Sequence, residues 1–78
     1  MGMKPEAAPT AAEIVTELRR ELRARAHVYP TQIALKKLDR VAARRRNACL
    51  EAAILHFERL AAEDRVRAEV ALREGRLL

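Results

Sequence analysis

The stretch H-V-Y-P-T-Q, His27 to Gln32, decides how this chain folds, because it is the one interruption in an otherwise helix-favouring run of Ala, Leu and Arg. Pro30 disfavours helical geometry at the preceding Tyr29 and has no backbone N–H to donate within a helix. A first helix is therefore expected to stop near His27 or Val28. The fixed φ of Pro30 suits the first turn of a new helix, which predicts a short connecting helix over Thr31 to Lys37 carrying Ile33, Leu35 and Leu38 inward. On this reading the stretch is a corner between two blocks of basic residues.

Upstream, Thr10 and Glu13 have the S/T-x-x-E spacing of a capping box, just after Pro9 and ahead of an apolar run. Ala11, Val15, Leu18 and Leu22 follow at 4-3-4 spacing, with Ile14 widening the stripe, and this face should be buried. Downstream, Asp39 is placed to cap a long helix from Arg40 to about Glu74, with Gly75 as its stop. At 1.5 Å per residue this helix would be roughly 50 Å long against roughly 25 Å for the first, so the first cannot cover it.

The long helix carries apolar residues on two sides. Leu50, Ile54, Phe57, Ala61, Ala68 and Leu72 form the bulkier stripe; Val41, Ala48, Ala52, Leu55, Val66 and Val70 lie nearly opposite. Two apolar sides call for two partners, so the second stripe is expected to mediate self-association as a homodimer or higher homo-oligomer. The alternative is a break at Ala62, Glu63 and Asp64 that lets the last turns fold back. The fold class is thus all-α: a helical hairpin with a short connecting helix and one long C-terminal helix.

Composition sets the outer bounds. A chain of 78 residues has room for one domain, expected over residues 10–78 after a flexible tail at 1–9. Half of the residues are apolar, but many are alanines, which favour helix and bury little area. Strand signals are nearly absent. The single cysteine, Cys49, has no second thiol at metal-binding spacing, in keeping with a reducing cytoplasm. The N-terminus lacks the apolar core of a signal peptide, and no apolar run reaches the roughly 20 residues of a membrane span.

Charge is distributed unevenly. Between Arg19 and Arg46 the chain holds Arg19, Arg20, Arg23, Arg25, Lys36, Lys37, Arg40, Arg44, Arg45 and Arg46 against only Glu21 and Asp39, while the remainder is net acidic. A hairpin brings these residues to one end, and clustering of one sign creates a field that attracts phosphates or acidic surfaces. The candidate contact residues are Arg19, Arg20, Arg23, Lys36, Lys37, Arg40, Arg44, Arg45 and Arg46. Arg44, Arg45 and Arg46 fan over three faces and cannot all find carboxylates one turn away.

From about Leu18 to Leu55 the chain resembles short, uncharacterised phage and prophage proteins. The residues that carry the resemblance are L-R-R-E-L-R-A-R, then Val28, Tyr29 and Pro30, then R-V-A-A-R-R-R-N-A-C-L-E-A-A. The chain departs from that pattern at His27 and at K-K-L-D, where a Gly-containing turn is usual. The resemblance implies a bacterial or phage cytoplasmic setting and transfers no activity.

The remaining chemistry is sparse. Tyr29 is one aromatic where single-strand binders carry several, and it fits better as a plug at the helix junction. Cys49 and His56 share a helix face, but two ligands do not make a zinc site. No catalytic constellation, metal site or cofactor site is expected. The sequence points to non-catalytic binding through the basic end, with the partner either nucleic acid, DNA or RNA, or an acidic surface of a host protein met by a phage inhibitor or adaptor.

Overall fold

Both helix starts follow from local hydrogen bonding. The Thr10 hydroxyl accepts from the Glu13 N–H at 3.1 Å while the Glu13 carboxylate accepts from the Thr10 N–H at 3.5 Å, closing the capping box. Asp39 Oδ2 accepts from the N–H groups of Val41 and Ala42 at 3.0 and 3.1 Å. These caps open the two helices of a computed structural model that describes residues 7–76: α1, Ala11–Ala34, and α2, Arg40–Arg76. The chain is all-α, and the two helices lie antiparallel as a hairpin. The proposed tail at residues 1–9 falls largely outside the described residues.

One seam holds the hairpin together. Val15, Leu50 and Ile54 are buried, with Leu18, Leu22 and Phe57 packed against them, and Leu38 and Ala43 close the turn end. Burying a Leu or Ile side chain contributes roughly 1.5–3 kcal/mol, so the seam outweighs any single cap. It is narrow, however, and the radius of gyration of 18.8 Å far exceeds the roughly 11–12 Å of a compact domain of this length. From Glu63 to Gly75 every α2 residue is exposed, so the helix runs roughly 20 Å past its partner.

The structure corrects the expected corner. Pro30 lies inside α1, the helix continues to Ala34, and no separate helix forms over Thr31 to Lys37. The physical reason is position. Pro30 sits in the last turns, where its missing N–H leaves only the Ala26 carbonyl unserved, and both residues are exposed to water that can serve it.

The chain turns five residues later. Lys36 has φ 58°, the left-handed conformation usually taken by glycine, and donates its N–H to Ile33 O at 3.0 Å while Lys37 donates to Gln32 O at 2.9 Å. That pair of bonds is a Schellman motif. It turns Leu38 into the seam but leaves Leu35, expected inside, 59% exposed.

Two further expectations change. α2 passes through Ala62, Glu63 and Asp64 without a break, and Gly75 is helical rather than a stop. A glycine near the end costs little because few intrahelical bonds lie beyond it.

Candidate nucleic-acid interface

The hairpin sorts the arginines of the basic window into two groups. Arg19 pairs with Glu58 across the seam at 2.6 Å and Arg20 with Glu17 at 3.0 Å on the outer face of α1. Both pairs are solvent-exposed, so each stabilises by at most about 1 kcal/mol, but their charges are locally matched.

Arg25 is drawn into the fold. It follows Leu22 at the next seam position, is half-buried, and donates from Nε to Glu21 at 3.1 Å and from Nη1 to the Arg46 carbonyl at 3.1 Å and Asn47 Oδ1 at 3.5 Å. Its guanidinium also stands 5.5 Å from the ring centroid of half-buried Tyr29. Tyr29 thus lies one turn from Arg25 on the same face of α1. The tie from Arg25 to the α2 backbone fixes how α1 meets the Arg44 to Arg46 segment. Seam spacing was the available signal for this role, since Leu18, Leu22, Arg25 and Tyr29 continue the 4-3-4 pattern.

The second group stays free. Among the described residues Arg23, Lys36, Lys37, Arg40, Arg44, Arg45 and Arg46 are exposed and make no ion pair within 4.0 Å. Lys36, Lys37, Arg40, Arg44, Arg45 and Arg46 lie on the connecting turn or the first two turns of α2, whereas Arg23 lies at the middle of α1. The first turn of α2 holds no acidic residue, and the one carboxylate at that end, Asp39, is held on the helix N-terminus as its cap. Thus six of the nine candidate contact residues lie at the turn end as unpaired cations, Arg23 is unpaired halfway along α1, and Arg19 and Arg20 are paired along the shaft.

The second apolar stripe is bare. Val41, Leu55, Val66 and Val70 are 72%, 57%, 60% and 44% exposed, and Ala48 and Ala52 are exposed between them. Val41 and Ala48, with Arg44 and Arg45, line a shallow groove of about 290 Å³. Cys49 and His56 are both exposed, and among the described residues no group of three His, Cys, Asp or Glu is placed to hold a metal. No described helix is long and apolar enough to cross a membrane. No family model, curated protein or solved structure matches the chain.

Proposed function

We propose that this is a small non-catalytic binding protein of phage or prophage origin and cytoplasmic location, which contacts nucleic acid phosphates through the turn end of the hairpin and self-associates along α2. The observation that carries the reading is the density of unpaired charge at the turn: among the described residues Lys36, Lys37, Arg40, Arg44, Arg45 and Arg46 make no ion pair there, whereas along the helices the unpaired Arg23, Arg59, Arg65 and Arg73 alternate with the ion-paired Arg19, Arg20, Arg25 and Arg67. Unmatched, exposed arginines and lysines on a rigid corner are suited to phosphate oxygens and supply affinity without reading sequence. Tyr29 is half-buried beside Arg25 and offers no base-stacking platform, which favours backbone contact over single-strand recognition.

A second reading has its own support. The Val41 and Ala48 groove bordered by Arg44 and Arg45 suits an acidic host protein that buries an apolar side chain between flanking carboxylates. Changing Arg44, Arg45 and Arg46 together to Gln separates the two. For nucleic acid, log affinity falls linearly with log salt and the triple change flattens the slope by up to about 0.9 per lost contact on duplex DNA, alike on every sequence. Weak, salt-indifferent binding of the unaltered chain to a random duplex would refute the nucleic-acid reading.

A further inference from the structure

The bare side of α2 has a pattern of its own. Val41, Ala48, Leu55, Ala62 and Glu69 are spaced seven apart, and Arg45, Ala52, Arg59, Val66 and Arg73 form a second series interleaved with them at 4-3 spacing. Together they make a heptad seam down one helix face, opposite the seam that α1 covers. Apart from half-buried Ala62, all of them are exposed. The helix is uninterrupted through the whole repeat, and the drift of about 20° per heptad is what a left-handed supercoil takes up.

We infer that the occupant of this face is α2 of a second copy, running antiparallel in one particular register; this rests on and deepens the self-association proposed above. Charge decides the direction. A parallel, in-register pair would set Arg45, Arg59, Glu69 and Arg73 each against its own copy, four like-charge layers. An antiparallel pair avoids that.

Charge also decides the register. When Ala52 faces Ala62 of the second copy, Ala48 faces Val66, Arg45 faces Glu69 and Leu55 lies along the stem of Arg59, while Val41 and Arg73 meet at the solvent-open ends. Every seam position is engaged, and the Arg45–Glu69 pair occurs twice by symmetry. Sliding one helix by a heptad toward the turns faces Arg45 with Ala62 and Arg59 with Ala48, and sliding it the other way faces Glu69 with Ala52. Either slip loses both opposite-charge pairs and shortens the overlap. The small side chains of Ala48, Ala52 and Ala62 let the helix axes approach closely. Arg45 thereby leaves the basic surface for the interface.

Charge reversal in two separate chains tests both the partner and the register, with nucleic acid removed first. Sedimentation equilibrium of the unaltered 8.8 kDa chain should give twice that mass at micromolar concentration. Arg45→Glu and Glu69→Arg, each alone, should weaken the dimer roughly tenfold or more, because each makes two repulsive pairs in place of two attractive ones. Mixed in equal amounts, the two variants should form a heterodimer as tight as the unaltered homodimer, since every pair is opposite again. A monomer at high micromolar concentration would overturn self-association itself. A dimer whose reversals do not rescue one another on mixing would overturn the register.

Discussion

The two halves of α2 are one unbroken helix in contrasting surroundings. Up to Ala62 it lies against α1 and buries Ala43, Leu50 and Ile54; from Glu63 to Gly75 every residue is exposed among the described residues. Both halves are rich in Ala and Arg, so intrinsic propensity is similar and the difference lies in packing. An amphipathic face buried against a neighbour holds the first half, whereas propensity and local pairs such as Arg67–Asp64 at 3.8 Å hold the second. The half that needs least of its own fold is the half most available to another molecule.

The largest test of this contrast is a matched truncation of one apolar side chain in each half. Ile54→Ala should destabilise the hairpin by about 2–5 kcal/mol in urea unfolding, because Ile54 is only 7% exposed and leaves a cavity against Val15 and Leu50. Leu72→Ala should change stability by under about 0.5 kcal/mol, because Leu72 is 64% exposed and lies off the proposed dimer seam. Equal losses at the two sites would show that the far half is covered.

A smaller effect probes the end of α1. Pro30→Ala should stabilise the hairpin by about 1–3 kcal/mol, since it supplies a donor to the Ala26 carbonyl and removes the ring from a helix that already runs through the site. Loss of helicity by circular dichroism, or weaker partner binding, would mean that the proline shapes the corner after all. The smallest change is at the turn. Lys36→Gly should stabilise by about 1 kcal/mol in the same unfolding assay, because φ 58° costs a lysine what it does not cost a glycine. It also removes one unmatched cation, so a nucleic-acid salt slope should fall by up to about 0.9.

What could be read in advance was whatever depends on bonds within one turn. Thr10 with Glu13 and Asp39 announce their caps because side chain and backbone partner lie three residues apart or fewer. The covered and bare stripes of α2 follow from spacing in the same way. Pro30 misled because its cost depends on how much helix follows and on whether water reaches the abandoned carbonyl, neither of which is a property of the tripeptide. Lys36 was illegible for another reason: the turn needs a left-handed residue, and nothing in a lysine marks it as one. At the basic end, the clustering was legible from the charge count. The division into matched and unmatched arginines was not, because it depends on Glu58 standing across the seam from Arg19 and on the Arg46 carbonyl standing beside Arg25.

The turn between Ala34 and Arg40 also bears on how the hairpin forms. Closing so short a loop costs little chain entropy, and the first contacts across it, near Leu38 and Ala43, are few residues apart in sequence. Each later layer of the seam, out to Val15, extends an alignment already begun. Such local, sequential contacts place folding in the microsecond-to-millisecond range expected of simple helical proteins. The long far end of α2 adds little to that search, because among the described residues everything from Glu63 to Gly75 stays exposed.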